Sequence, residues 1–457
     1  MDTPTNNADK KSFKRWPFLV ALALFLLVLA VPGFDNQSAQ RASALLVLIA
    51  ALWITEAIPL ALTGILVPLL AIVLQLADPT QAFAPFAHPI IFLFMGGFVL
   101  AAALSHYSLD QFIAQRLIRL ARGNFYRSSV LLMLATALMA CWVTNTSSVA
   151  MMIPLALGML SLIQRQHIST ESKFLMLGIA YSANIGGIIT MVASPPNAIG
   201  ASIMRLSFSQ WTTYALPFFL IAFPAMVVLL TLFFKPDRNI GIATVLFHDK
   251  PFSPNRTVVV IFMVTVMLWI LESAIAPLLG IGSGFSALVA ILAIFLFFAT
   301  GAMQWNQIIH SIQWEILLLF GGGLTLGMLI ETSGLGALII NQAADLITKV
   351  PLWLFLWITV VFCIVLTEFM SNTASAALML PLLYSTAIAL NLNPILLVFP
   401  ATIATSFGFM MPVGTPPNAM VFASGLVPRM EMFRAGALMN LLSSILITAY
   451  FYFIFRQ

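Results

Sequence analysis

Charged side chains are scarce in this sequence. Only 8% of its 457 residues are Asp, Glu, Lys or Arg, whereas 61% are hydrophobic. Soluble domains carry about 25% charged residues, so the composition excludes an ordinary soluble protein. The sequence instead predicts a polytopic membrane protein with room for roughly ten to twelve spans of about 20 residues each.

Cysteine is almost absent as well. Cys141 and Cys363 both lie in apolar runs, so we expect neither a disulfide framework nor a metal cluster. The basic N-terminal stretch is followed by an apolar run without a small-residue cleavage site, which favours a retained first helix over a signal peptide. The net charge of +5 gives no reason to expect a nucleic-acid partner.

The apolar sequence is interrupted at a few polar breaks. Four spans are predicted at about 17–33, 42–60, 62–77 and 86–107. An amphipathic segment over 109–123 should lie along the membrane interface. The run 128–162 is too long for one span and is broken at 144–146, which predicts a re-entrant hairpin. A further break is expected at 193–197, where two prolines interrupt a helix.

The second half of the chain repeats the first. Four motifs recur in the same order at offsets of 216, 226, 227 and 221 residues, which chance does not explain. The pairs are Trp53-Ile54-Thr55-Glu56 with Trp269-Ile270-Leu271-Glu272, Phe94-Met95-Gly96-Gly97 with Phe320-Gly321-Gly322-Gly323, Thr144-Asn145-Thr146 with Ser371-Asn372-Thr373, and Ser194-Pro195-Pro196-Asn197-Ala198 with Thr415-Pro416-Pro417-Asn418-Ala419.

The repeat divides the chain into five regions. These are residues 1–127, the first-repeat scaffold helices and the interfacial helix; 128–234, the first-repeat transport region with a cytoplasm-facing hairpin; 235–255, a cytoplasmic loop between the repeats; 256–350, the second-repeat scaffold helices; and 351–457, the second-repeat transport region with an outward-facing hairpin and the last helix.

The basic residues predict the orientation. With a cytoplasmic N-terminus, sixteen of the twenty lie inside and only Arg41, Arg205, Lys349 and Arg456 lie outside, in accord with the positive-inside rule. The two hairpins then open to opposite sides, which defines an inverted-topology repeat. The predicted fold class is an all-α polytopic membrane protein with about 11 transmembrane helices, two re-entrant hairpins and broken helices, its C-terminus outside.

The breaks carry the chemistry. An unwound turn between half-helices exposes main-chain carbonyls to a cation and amides to an anion, and asparagine can serve both. No Lys or Arg lies at the four breaks, so a bound dianion needs another source of positive charge. Turns without carboxylates suit a monovalent cation such as sodium better than calcium or magnesium. Cations that complete an anion site couple the two affinities, as a symporter requires.

The paired Asn-Thr hairpin tips and the paired Pro-Pro-Asn-Ala breaks resemble those of the divalent anion/sodium symporters (INDY-type), and most closely their bacterial sodium-coupled dicarboxylate members. The likeness extends from Trp53 to Gly425. It implies a homodimer in the inner (plasma) membrane, in which a scaffold domain forms the dimer interface and a transport domain crosses the bilayer like an elevator.

The resemblance also implies site residues. The first sodium site would use Thr144, Asn145 and the main chain at Ala193; the second would use Thr367, the Met370 carbonyl, Asn372 and the main chain at Gly414. The substrate carboxylates would meet Asn145, Thr146, Ser194, Asn372, Thr373, Thr415 and Pro416. The sequence departs from the family at Thr144, usually serine, at Ala140, where relatives offer a hydroxyl, and at Ala193, usually glycine.

These observations predict sodium-coupled symport of C4-dicarboxylates such as succinate, malate or fumarate, without an organic cofactor. Sodium-independent exchange of dicarboxylates or citrate and sodium/sulfate symport are the alternatives. An intramembrane enzyme would need a nucleophile with a base, or paired aspartates, at mid-membrane depth, and no such motif is present. Deep hairpins suit alternating access better than a channel. Glu368, beside the second tip, could carry protons, but we favour a role in orienting the hairpin.

Overall fold

The computed structural model describes residues 13–31, 36–107, 109–164, 168–242, 255–281, 284–338 and 350–455. Within these ranges the regular structure is helical, apart from one isolated bridge between Asn124 and Gly241. The all-α fold class is thereby confirmed. Most of the predicted loop 235–255, together with the basic residues Lys349 and Arg456, lies outside the described residues.

The helices follow the two repeats. In the first they are α1 (Arg15–Ala30), α2 (Gln37–Thr55), α3 (Leu60–Val73), α4 (Pro79–Phe83), a 3-10 turn (Ala84–Ala87), α5 (Pro89–His106), α6 (Leu109–Arg119), α7 (Phe125–Ala140), α8 (Asn145–Leu160), α9 (Ile168–Gly186), α10 (Pro195–Ile203) and α11 (Phe208–Phe234). In the second they are α12 (Arg256–Ile270), α13 (Glu272–Leu278), α14 (Phe285–Ala299), α15 (Trp305–Ser311), α16 (Trp314–Thr332), α17 (Leu352–Phe369), α18 (Asn372–Ala389), α19 (Pro394–Ala404), α20 (Pro416–Ala423) and α21 (Arg429–Phe455).

Six helical stretches in the described ranges are long and apolar enough to cross a membrane. The bent pair α12 and α13, with an angle of 80° between them, would make a seventh span. Other apolar helices are shorter: α7 and α8 have 16 residues each, or about 24 Å, less than the ~30 Å of a bilayer's hydrocarbon core. The chain is a multi-pass membrane protein, and the number of about 11 spans stays a prediction.

Both predicted hairpins are present. Residues 141–144 join α7 to α8, and residues 370–371 join α17 to α18. Asn145 and Asn372 are the first residues of the returning helices. At the first tip, Thr144 caps α8, because its hydroxyl accepts a hydrogen bond from the Ser147 amide at 3.3 Å. Each hairpin therefore presents its asparagine at the N-terminal end of a helix.

Both predicted helix breaks are also present. The chain is unwound between Gly186 and Pro195, and again between Ala404 and Pro416. Proline suits the first helical position, since it has no amide hydrogen to lose there. Asn197 Nδ2 donates to two carbonyls of the first break at 2.7 and 2.8 Å. Asn418 Nδ2 donates to two carbonyls of the second break at 2.9 and 3.0 Å, so equivalent residues hold both unwound segments.

Helices of the first repeat pack on helices of the second repeat. Helix α3 packs on α16, and its repeat equivalent α14 packs on α5. Both contacts are close backbone approaches: a methyl group added to Gly322 would collide with Gly64, and one added to Gly96 would collide with Ala290. Small residues allow membrane helices to approach in this way. A pseudo-two-fold arrangement accounts for this reciprocal packing.

Phe94 and Phe320 lie on this pseudo-axis. They are repeat equivalents, and their rings contact each other edge to face with centroids 5.0 Å apart. A residue that contacts its own symmetry mate marks a two-fold interface. In the same manner, α10 of the first repeat packs on α18 and α19, whereas α20 of the second packs on α8 and α9.

Candidate substrate and cation site

The first hairpin tip is tied to both breaks. Asn145 Nδ2 donates to Asn184 Oδ1 at 3.3 Å, and Asn184 Nδ2 donates to Thr415 Oγ1 at 3.2 Å. Asn184 lies on α9 and is fully buried. A methyl group on Gly187, in the first break, would collide with the Asn145 amide. One tip and both unwound segments therefore meet at a single polar centre.

Three oxygen atoms lie close together at the second tip. Thr367 Oγ1 lies 2.7 Å from Asn372 Oδ1 and 2.7 Å from the Thr405 carbonyl oxygen. A hydroxyl has one proton to donate, so it can serve only one of these two acceptors at a time. The cluster has more acceptors than donors, which is the balance that a bound cation corrects.

The first tip also has an unused acceptor. Asn145 Oδ1 is buried, and no donor in the described part of the chain bonds to it. The Thr144 hydroxyl is engaged locally, 2.9 Å from Ser147 Oγ. An orphaned buried carbonyl oxygen is costly unless a ligand satisfies it. Asn145 thus bonds to the protein through its nitrogen and leaves its oxygen available to a ligand.

Three main-chain carbonyls are available beside the tips. Ala193 and Gly414 lie in the two unwound segments, and Met370 ends α17 in an extended conformation. All three residues are buried. None of their carbonyl oxygens accepts a backbone hydrogen bond from the described residues. These are the main-chain groups that the family resemblance assigns to sodium, and the assignment stays a prediction.

The predicted substrate residues lie at helix starts. Thr146, Thr373 and Pro416 are in the first turns of α8, α18 and α20, and Ser194 and Thr415 immediately precede α10 and α20. Thr146 and Pro416 are exposed, whereas Ser194 and Thr415 are buried. Helix N-termini present free amides and a positive dipole end to an anion. Neither Thr146 nor Thr373 has a side-chain hydrogen bond within the described ranges, so the structure does not link these two hydroxyls to the rest of the site.

Glu368 braces the second break. Its carboxylate accepts hydrogen bonds from the Met410 amide at 2.7 Å, from the Met411 amide at 2.9 Å and from Asn440 Nδ2 at 2.7 Å. The side chain is 4% exposed. All three partners are donors, which is what an ionised carboxylate requires. This geometry favours the orienting role over proton transport.

The sequence interpretation missed Asn184. Its signal was available, because an asparagine within the apolar stretch 174–206 is unusual in a membrane helix. It was overlooked because it belongs to no repeated motif: its repeat equivalent is Thr405, which takes part through its carbonyl. Asn197 and Asn418 were noticed as motif residues, but not as the side chains that hold the breaks.

Hairpins and broken helices from two repeats that meet at a buried polar centre are typical of secondary transporters. Residues 50–404 match the family described as citrate transporter, and the chain belongs to this family. It is a transporter, not an enzyme, and the resemblance to divalent anion/sodium symporters is confirmed.

Relatives extend over nearly the whole chain. An uncharacterised transporter of Haemophilus influenzae is 42% identical over 438 residues, covering 94% of this chain and 95% of the relative. The sodium-dependent dicarboxylate transporter SdcS of Staphylococcus saprophyticus is 32% identical, covering 94% and 89%. The crystal structure of the Alcanivorax borkumensis YdaH transporter is similar in fold, with a TM-score of 0.56 at 16% identity, covering 95% of this chain and 97% of that one.

Proposed function

We propose that this transporter carries C4-dicarboxylates into the cell together with sodium. The observation that carries the proposal is the pairing of two asparagine tips, Asn145 and Asn372, with more oxygen acceptors than donors and no basic side chain at either break. Sodium dependence and dicarboxylate transport are stated for the relative SdcS, which supports the same assignment here.

The proposed site combines two kinds of group. Oxygen atoms of Asn145, Thr367 and Asn372 and the free carbonyls of the unwound segments would hold sodium. Amides at the starts of α8, α18 and α20 would face the substrate carboxylates, with Thr146 and Thr373 beside them. Because no Lys or Arg lies at the breaks, the dianion would bind well at the hairpin tips only when sodium is present. This dependence would couple uptake of the substrate to the sodium gradient.

The proposed movement is an elevator. The transport regions 128–234 and 351–457 would cross the membrane against the scaffold regions 1–127 and 256–350. The packing of α10 on α18, and of α20 on α8, supports movement of the two transport regions as one body. We further propose a homodimer in the plasma membrane with a cytoplasmic N-terminus and an external C-terminus, in keeping with the distribution of basic residues.

Citrate is a second candidate substrate, because the matching family is described as citrate transporter. It has a third carboxylate to accommodate. Competition with labelled succinate distinguishes the two: if citrate competes at concentrations where malate and fumarate do not, the substrate is a tricarboxylate.

The test is uptake of labelled succinate by purified protein in proteoliposomes, with an inward gradient of sodium or of potassium at matched pH. We expect accumulation only with sodium. Uptake that ignores sodium and requires internal dicarboxylate would identify an exchanger instead. Competition by sulfate without competition by malate would identify a sodium/sulfate symporter.

A further inference from the structure

A cavity of about 730 Å³ lies between the end of α10 and the scaffold helices α5, α13 and α14. Among the residues that line it are His88, Ser202, Arg205, Gln210 and Glu272. A second cavity of about 500 Å³ is lined by Gln81, Gly323 and Tyr384 and shares His88, Ser202 and Arg205 with the first. Arg205 therefore lies where the two cavities meet.

The conformation of Arg205 is unusual. It follows the last turn of α10 with φ 54°, in the left-handed region that disfavours residues with a side chain. The corresponding turn after α20 has Gly425, with φ 73°. The fold at this turn therefore does not require the arginine side chain, although other residues of the described chain, such as Gln75 and Lys235, also adopt a positive φ.

Arg205 is an exposed residue that lines both cavities. In the part of the chain that the structure describes, no carbonyl or carboxylate forms a hydrogen bond or ion pair with it, although it offers five donors. Glu272 lines the same cavity, but its Oε2 accepts from Ser286 Oγ at 2.6 Å and from the Phe208 amide at 3.2 Å. Glu331 lines only the second cavity and forms no ion pair with Arg205.

Other polar groups line the same cavity. His88 Nδ1 accepts from the Ile90 amide at 3.3 Å, which leaves Nε2 to carry the proton. Ser202, Ser207 and Gln210 add hydroxyl and amide groups. The 730 Å³ cavity also reaches Met191, two residues before Ala193 in the first break. The cavity therefore adjoins the first unwound segment.

We propose that this cavity is an antechamber for carboxylate substrates, in which Arg205 binds the dianion before it reaches the hairpin tips. The proposal rests on the proposed function, and it adds a second, sodium-independent anion site. Such a site raises the local concentration of substrate, and its effect falls as salt screens the charge.

The decisive variant is Arg205→Gly, which introduces the residue found at the equivalent turn and relieves the backbone. Uptake of succinate is measured in right-side-out vesicles at low and high ionic strength, with sodium fixed and choline chloride varied. We expect the KM for succinate to rise about tenfold at low ionic strength and the difference to shrink at high ionic strength. The maximal rate and the sodium concentration for half-maximal uptake should change less than about twofold. Arg205→Lys, which keeps the charge, should fall between the two proteins.

Two further measurements separate the possible outcomes. Succinate should stabilise the purified protein weakly in sodium-free buffer, and Arg205→Gly should abolish this stabilisation even if the protein proves not to be a sodium symporter. An unchanged KM at low ionic strength, with unchanged sodium-free stabilisation, would overturn the antechamber. So would an effect of Arg205→Gly that appears only in vesicles containing phosphatidylglycerol, since the bound anion would then be a lipid phosphate. Failure of the proposed function itself would be seen in the unsubstituted protein, as uptake that ignores sodium.

Discussion

Thr367 donates its hydroxyl toward Asn372 Oδ1 at 2.7 Å, and the first repeat has no counterpart of this contact. The residue equivalent to Thr367, at the offset of 227 that relates the tips, is Ala140. Ala140 is fully buried, and the Asn145 oxygen, the equivalent of Asn372 Oδ1, has no hydrogen-bond partner among the described residues. The two proposed cation sites therefore differ by one oxygen ligand.

Ala140→Ser should strengthen the first cation site. A serine hydroxyl adds one oxygen beside Asn145 at little cost in volume, so we expect the sodium concentration for half-maximal uptake to fall about threefold to tenfold. Thr367→Ala should raise it by a similar factor, and Thr367→Ser should restore it. Sodium titrations of succinate uptake measure all three. An Ala140→Ser protein with an unchanged titration would exclude a cation site at the first tip.

Asn145→Ala and Asn372→Ala should each abolish uptake, because each removes a side chain that offers both an acceptor and a donor at a tip. Expression should be largely intact, since both residues are only partly buried. Ser161→Ala, an exposed hydroxyl just beyond the end of α8, is the matched control and should transport normally. Normal uptake by both asparagine variants would remove the site assignment.

Asn184→Ala should reduce uptake at least tenfold. The substitution removes the side chain between Asn145 and Thr415 and takes away the acceptor of Asn145 Nδ2, at a cost of about 1–3 kcal/mol, whereas Thr415 Oγ1 keeps the hydrogen bond from the Asn418 amide. Asn184→Gln tests whether the position of the amide group matters as well as its presence, since it keeps the amide but moves it by one methylene. We expect the loss of uptake with both variants, and the larger loss of thermal stability with alanine. Uptake at the normal rate by Asn184→Ala would show that the bridge is not needed.

Glu368→Gln should lower thermal stability and uptake without changing what drives uptake. The carboxylate accepts three hydrogen bonds, and an amide nitrogen would face a donor at one of its two oxygen positions. The residual uptake should still follow the sodium gradient and ignore an imposed pH gradient. If the wild-type protein concentrates succinate with a proton gradient alone, and Glu368→Gln does not, then Glu368 is a proton carrier.

Gly322→Ala should destabilise the scaffold. The added methyl group would meet the backbone of Gly64, which cannot move aside as a flexible side chain could. Overpacking of this kind costs about 1–3 kcal/mol, so the melting temperature of the purified protein should fall by several degrees. Gly158→Ala is the control, because no other part of the described chain lies within 4 Å of the added methyl group. Equal melting temperatures for the two variants would contradict the close approach of α3 and α16.

The sequence predicted those features in which polar residues lie within apolar, membrane-spanning segments. Asparagine and paired prolines are conspicuous in an apolar chain, so the tips around Asn145 and Asn372 and both breaks could be located without a structure. The contacts between residues of the two repeats could not be predicted from the sequence. Nothing in the sequence near Asn184 indicates that its partner is Thr415, since the contact depends on how two distant breaks are packed. Glu368 was found as a carboxylate at depth, but only the fold showed that its partners are the amides of the second break.

The contact between Phe94 and Phe320 has a consequence for biosynthesis. Helix α5 packs on α14 and helix α3 packs on α16, and both partners belong to the second repeat, far later in the chain. When only the first repeat has been synthesised, the helix faces at Gly64 and Gly96 lack the second-repeat helices on which they pack in the folded protein. Until the second repeat is inserted, these faces of the first half contact either lipid or the insertion machinery. The packing of the first half cannot be complete before α20 has been inserted, because α8 and α9 pack on that helix.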